Sequence, residues 1–258
     1  MADITAAAVS SLRARTGVSI LLCKKALEEA NGDEDKAIDV LRLQGEAQVV
    51  KRAAKDQKEG GIFLAQEGGK AALVVLHCET DFVSRNDDFR AFGQQLADYM
   101  FANGEDALKK HADEVLPSFI QKLGENISIG EVNMVESSTL GCYVHTNRKI
   151  AVIIGLEGGD EALAKDVAMH AAAMNPAHLT PENVTDEAIE SEKIIWKEQL
   201  KNEGKPEQIW EKIMAGKEKK FREENSLTTQ NFVKDPSITV NQHLGDATVT
   251  EYIRLAIS

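Results

Sequence analysis

Apolar residues at helical spacing open the chain. Val9 and Leu12, then Leu21, Ala26 and Leu27, then Ala37, Ile38 and Leu41 predict three short helices within residues 1–54. Thr16-Gly17 separates the first from the second. Asn31-Gly32-Asp33 supplies a glycine stop followed by a new cap, which starts a third helix completed over residues 36–43. Residues 50–59 are charged, end in Gly60-Gly61 and read as a linker. The period then shortens. Ile62-Phe63-Leu64 and residues 71–78 are β-rich runs joined by Glu67-Gly68-Gly69-Lys70, a hairpin signal. A helix follows from Asn86 through Phe89, Phe92, Leu96, Tyr99 and Met100, and a second over residues 112–123. Residues 127–135, 140–146 and 149–156 alternate as strands do, and residues 160–174 return to helical spacing.

The run after Gly69-Lys70 echoes the run after Arg148-Lys149, each closing a hairpin and leading into a helix. Two related subdomains and a chance likeness of short apolar strands both account for the echo. Residues 181–225 differ in kind. Pro181 and Thr185-Asp186 open a helical stretch to Leu200, Gly204-Lys205-Pro206 turns the chain, and a second helix runs over residues 207–224. Half of positions 185–224 are charged, so most of this surface stays in water. Ile189, Ile195, Trp196, Leu200, Ile209, Trp210, Ile213 and Phe221 nevertheless form an apolar seam. Two helices alone cover such a seam incompletely, so it either packs on the parent body or associates with a second copy; association is expected through Trp196, Leu200, Trp210 and Ile213. A short helix over residues 240–244 and a strand over 248–257 end the chain. The expected fold is α+β: a three-helix domain at 1–54, a core subdomain at 55–139, a second at 140–180 with 226–258, and an inserted antiparallel helical hairpin at 181–225.

Composition narrows the function. Apolar residues make up 43% of the 258 and aromatics 5%, so Ala, Val, Leu and Ile must build the cores of two or three compact units. No run of about 18 apolar residues is present to span a membrane. Met1-Ala2-Asp3-Ile4-Thr5 lacks the basic start of a secretory signal, so a cytoplasmic protein is expected. Cys23, Cys78 and Cys142 have neither zinc nor disulfide spacing and read as buried thiols. A formal charge of −12 repels phosphate backbones, and the basic residues at 217–222 lie among glutamates, so no direct nucleic-acid contact is expected.

No catalytic constellation stands out. The histidines at 77, 111, 145, 170, 178 and 243 are scattered without metal spacing, so no metal and no cofactor are expected. His77 and Cys78 are neighbours on a strand and point to opposite faces. Thr80-Asp81-Phe82-Val83 is the most distinctive segment, set between a buried strand and the Asn86 cap. Phe82 there either fills the core, with Asp81 capping the turn, or is displayed beside a carboxylate on a rigid loop. Ile20-Leu21-Leu22 likewise cannot all face inward in a small bundle, so at least one marks a contact surface or a tightly covered core.

Together these segments resemble the elongation factor Ts family. Leu12-Arg13, Arg15-Thr16-Gly17, Cys23-Lys24-Lys25-Ala26-Leu27 and Glu29-Ala30-Asn31-Gly32-Asp33 match its N-terminal signature, and Cys78-Glu79-Thr80-Asp81-Phe82-Val83 its second. Weaker matches are Gly124-Glu125-Asn126-Ile127, Ala168-Met169-His170-Ala171-Ala172, Phe232-Val233 and Thr239-Val240. The resemblance implies a ubiquitin-associated-type N-terminal domain, two related core subdomains and a dimerising hairpin. It implies a guanine nucleotide exchange factor rather than an enzyme of covalent chemistry, with the GTPase elongation factor Tu as partner and a homodimer or two-to-two complex open. Thr80, Asp81, Phe82 and Val83 would form the exchange loop, with Asp81 and Phe82 entering the partner near its magnesium and phosphates. Leu12, Ile20, Leu21 and Lys24 would form the N-terminal contact surface, and Leu123, Gly124, His145, Val233 and Lys234 would face the partner from the core. Two departures accompany the match. Leu22 stands where many relatives carry a polar residue, and many relatives continue past the position of Ser258 into a helical module, whose contacts are expected to be absent or replaced.

Overall fold

The first three helices begin where the chain supplies caps. In the computed structural model, which describes residues 4–257, Thr5 caps α1 (Ala6–Thr16), Ser19 caps α2 (Ile20–Glu29) and Asp33 caps α3 (Glu34–Arg52). The reading of Met1–Thr5 as free of a signal rests on residues 1–3, outside that range, and Ser258 also lies outside it. Leu12, Val18, Cys23, Ala26, Leu27, Ala37 and Leu41 make the bundle core. α3 does not stop near residue 43: it runs on to Arg52 through a charged stretch expected to be a linker. Tertiary packing overrides local composition there. Gly45 is buried, and a Cβ on it would lie 3.0 Å from the Pro117 carbonyl oxygen, so the missing side chain lets α3 close onto a later helix.

β1 (Glu59–Glu67) and β2 (Lys70–Cys78) form the antiparallel hairpin signalled by Gly68-Gly69, with Glu67 opposite Lys70. One turn of helix, α4 (Asp81–Ser84), then leads to α5 (Asp87–Asn103), capped by Asn86 as expected. α6 (Glu105–Leu123) starts a full two turns before the predicted residue 112. β3 (Ser128–Glu136) pairs with β2, giving the order β1-β2-β3. The second sheet repeats the plan: β4 (Thr139–Val144) and β5 (Ile150–Glu157) form a hairpin, α7 (Glu161–Met174) follows, and β8 (Thr248–Ala256) pairs with β5 in the order β4-β5-β8.

The central strands β2 and β5 are buried on both faces, which is why their sequences are nearly continuous apolar runs. Ala72, Val74 and Leu76 pack under α5 and α6 with Phe63, Phe89, Phe92 and Leu96. Val152, Ile154 and Leu156 pack under α7 with Val167 and Ala171. Ala71, Leu73 and Val75 from one sheet meet Leu140, Ala151, Ile153 and Leu255 from the other in a shared layer. The result is α+β, two small antiparallel sheets face to face with helices outside. α8 (Asp186–Asn202) and α9 (Trp210–Glu224) form an antiparallel pair between α7 and the last segments. β6 (Asn231–Phe232) and β7 (Asp235–Thr239), a small hairpin the sequence reading does not anticipate, precede α10 (Val240–Leu244), and Phe232, Val240 and Leu244 join the α7 core. Among the described residues no helix is long and apolar enough to cross a membrane.

Candidate functional site

The segment after β2 displays its aromatic rather than burying it. Phe82 is 83% exposed on α4, so the ring fills no part of its own interior. Thr80, not Asp81, caps this turn: its hydroxyl accepts the Val83 N–H at 3.4 Å. The Asp81 carboxylate pairs with Arg85 at 3.1 Å, across an exposed i,i+4 step. Val83 leans against the core under α5, anchoring the side of the turn opposite the ring.

Below the turn lies a cross-linked polar layer. The Cys78 thiol donates to the Thr80 carbonyl at 3.3 Å. Glu125 Oε2 accepts the N–H groups of Glu79 at 3.0 Å and Thr80 at 3.1 Å, and its Oε1 accepts the Thr80 hydroxyl at 2.5 Å. Glu79 answers by accepting the Asn126 N–H at 2.6 Å and the Arg52 guanidinium at 2.7 Å. Burial acts to raise the Glu79 carboxyl, but the Asn126 N–H and Arg52 outweigh it and hold the group below the usual carboxylate value. Burial, reinforced by Glu125, pushes the Cys78 thiol up to about 12, and burial does the same to Cys142. Neither sulfur is a thiolate near neutral pH, so neither is a ready nucleophile. No sequence expectation gives Arg52, Glu79 or Glu125 a role at this turn. Glu79 and Glu125 do fall inside the matched segments 78–83 and 124–127, and Gly124, in the left-handed region at φ 73°, stops α6 directly before Glu125.

The remaining predicted contact residues divide by exposure. Ile20 and Leu21 stand in solvent at 57% and 61%, whereas Leu22 packs partly on the bundle core. Lys24 is exposed and lies 3.8 Å from Glu28. Leu12 is wholly enclosed and supports that surface from within rather than reaching it. Leu123 leans on the same core as Val83, and Gly124 closes α6, so the network joins the 80–83 and 123–126 segments. His145 is exposed at the β4–β5 turn, its Nδ1 2.9 Å from the Tyr143 hydroxyl.

Val233 and Lys234 sit at the β6–β7 turn and are tied to α7. The Val233 N–H donates to His170 Nδ1 at 3.1 Å, and Lys234 pairs with Asp166 at 2.7 Å. Because Nδ1 accepts, the His170 proton resides on Nε2, which donates to Gln230 Oε1 at 3.0 Å. Burial lowers this imidazole's pKa below the ordinary value, with the Gln230 bond opposing it.

On the α8–α9 pair, Trp196 and Leu200 are packed between the helices with Met214, and Phe221 meets Trp196 edge-on. Trp210 and Ile213 are half-buried beside them, with the Trp210 indole donating to the Lys205 carbonyl at 2.8 Å. Leu200, at 1% exposure, has no surface to offer; Ile194, Ile195 and Ile209 are the large apolar residues this pair leaves in water.

Among the described residues no three His, Cys, Asp or Glu side chains gather as a metal site. A surface groove of about 500 Å³ lies between α6 and β3, lined by Leu108, Ala112, Leu116 and Ile129; His77, Cys78 and Asp81 are not among its lining residues.

The sequence model of the family described as Elongation factor TS matches residues 79–258. The chain is 42% identical to an elongation factor Ts of Deinococcus radiodurans, covering 96% of this chain and 98% of that protein. It is 40% identical to one of Deinococcus deserti over the same shares, and 40% identical to one of Francisella tularensis subsp. novicida over 100% of this chain and 93% of that protein. A full-length match at this identity, with the second signature forming the braced turn that carries Phe82, leaves one conclusion: the chain belongs to the elongation factor Ts family of translation elongation factors.

Proposed function

We propose that this protein binds elongation factor Tu carrying GDP and accelerates GDP release, staying bound until GTP enters. The exposed Phe82 ring beside Asp81, on a turn fixed from beneath, is the observation that carries this reading. A diphosphate–magnesium complex is held by backbone N–H groups aimed at phosphate oxygens. Phe82 pressed between elements of the GTPase would favour the arrangement in which those groups and the magnesium ligands no longer fit the nucleotide. Coupling is reciprocal, so incoming nucleotide weakens the factor's hold by the same factor, and the cycle turns without covalent chemistry.

Thr80, Asp81, Phe82 and Val83 act as the exchange loop in this scheme. Ile20, Leu21 and Lys24 supply a separate docking surface, supported by Leu12, and Leu123, Gly124, His145, Val233 and Lys234 supply core contacts. Residues 1–54 form the ubiquitin-associated-type domain, 55–139 and 140–180 with 226–258 two related core subdomains, and 181–225 an inserted hairpin. The separate apolar clusters and the repeated strand order support that division. Self-association through the hairpin is also proposed; the exposed Ile194, Ile195 and Ile209 support an apolar contact there, with Trp196, Trp210 and Ile213 as its inner layer.

Mixing the chain with elongation factor Tu preloaded with fluorescent GDP tests the reading. Rapid release in its presence, with most of the acceleration lost in Phe82→Ala, is expected. Binding without faster release would make the protein a docking module and overturn the proposal.

A further inference from the structure

A side chain that touches nothing cannot fix its own direction. Phe82 is displayed without packing, so where its ring points is set by the backbone of α4, and α4 is a single turn too short to hold itself. Its geometry comes from Val83, packed on the core under α5, and from Thr80, the residue that caps it. Thr80 is held at three atoms: its N–H and hydroxyl both go to Glu125, and its carbonyl receives the Cys78 thiol. With the hydroxyl proton committed to Glu125, a lone pair on the same oxygen is left facing the Val83 N–H. One carboxylate from a distant turn therefore orients the cap that forms the displaying helix.

The second carboxylate extends the brace. Glu79 takes the Asn126 N–H and the Arg52 guanidinium, and the Asn126 side chain donates to the Lys55 carbonyl at 3.1 Å. Arg52 ends α3, the helix that packs on the bundle carrying Ile20 and Leu21. Two carboxylates set this close repel unless donors surround both, and here four donors and one guanidinium do so. Apolar side chains of similar volume would serve stability as well as such an ion pair.

We propose that Glu125 is a positioning residue for Phe82, and that the Glu79–Arg52 pair ties the base of the displayed turn to the N-terminal bundle, so that docking surface and aromatic meet the partner in fixed relation. The inference rests on the exchange function proposed above. It assigns to Glu125 a part in the rate of nucleotide release that is separate from partner affinity.

The test is nucleotide release over a concentration series for the wild-type chain, Glu125→Ala, Glu125→Gln, Phe82→Ala and the Phe82→Ala/Glu125→Ala double variant. Losing hydrogen bonds to a charged group should lower the maximal release rate of Glu125→Ala about tenfold. The half-saturating concentration should shift by less than about threefold, since Ile20 and Leu21 still dock. Glu125→Gln retains an oxygen for the two N–H groups and should recover most of the rate. In the Phe82→Ala background the alanine at 125 should cost nothing further, because the ring it positions is gone. Equal losses in both backgrounds, or an unchanged rate in folded Glu125→Ala, would overturn the inference. Thr80→Val, which removes only the capping hydroxyl, gives the same readout should Glu125→Ala fail to fold: slower release supports the brace, and wild-type release overturns it. A wild-type chain that releases no GDP, or a Phe82→Ala chain as fast as wild type, instead brings down the exchange reading on which the inference stands.

Discussion

The two sheets place their second strand in the same relation to a following helix, yet connect the two differently. After β5 the chain needs only residues 158–160: Gly158 at φ 81°, Gly159 at φ 73° and the Asp160 cap of α7. A Cβ at Gly159 would lie 2.8 Å from the Leu163 side chain, so the connection is as short and closely fitted as the chain allows. After β2 the same step takes residues 79–86, and the extra length builds α4 with a phenylalanine held out in water. A turn that merely connects is made of backbone conformations only glycine adopts readily. One that displays a side chain needs bracing from elsewhere, and Glu125 and Glu79 supply it.

The comparison breaks most visibly at Phe82. Phe82→Ala should cut the acceleration of GDP release about thirtyfold or more, in the range of interface hot spots, with thermal stability unchanged because the ring is exposed. Stopped-flow release and a melting curve on the same sample check both halves.

His170 sharpens the comparison on the side of the second sheet, where Val233 is held by an imidazole rather than a carboxylate. Burial depresses the His170 pKa in the fold, so the unfolded chain takes up the proton first as pH falls. The stabilisation is complete above the ordinary histidine value and is lost as pH drops through it towards the folded value. Denaturant midpoints at about pH 7.5 and about pH 5.5 should therefore differ more in wild type than in His170→Gln.

Gly159→Ala tests the other turn directly. Its left-handed backbone and the Leu163 contact should cost about 1–2 kcal/mol in a urea melt, while release per folded molecule stays at wild type. A comparable loss of exchange would mean the short connection is functional too. The smallest change is expected on the hairpin. Ile194→Lys with Ile195→Lys should leave stability within about 0.5 kcal/mol, as exposed positions do, and reduce the sedimentation coefficient if the hairpin holds two copies together.

The longer strands and most helix starts were legible because their causes are local. Gly68-Gly69 sets the first hairpin, Asn86 and Asp160 cap α5 and α7, and β2 and β5 are nearly continuous apolar runs because both faces are covered. The end of α3 was not legible: its last turns are charged, and what holds them is Gly45 against Pro117, a contact far along the chain. The β6–β7 hairpin was too short to leave a period. At the site, the sequence singled out Thr80-Asp81-Phe82-Val83 but left the side of the ring open, since a strand–turn–helix accommodates phenylalanine inside or out. It drew attention to both tryptophans of α8–α9, whereas Trp196 is enclosed and the isoleucines beside it are what solvent meets. Glu125 reaches Thr80 across 45 positions, a pairing no local pattern encodes.

The central claim is that an exposed phenylalanine, rather than any bond-making group, releases the nucleotide. Stopped-flow release of labelled GDP from elongation factor Tu, at saturating concentrations of the wild-type chain and of Phe82→Ala, measures this directly. Fast release with the first and a return towards the intrinsic rate with the second is the expected result; equal acceleration by both would contradict it.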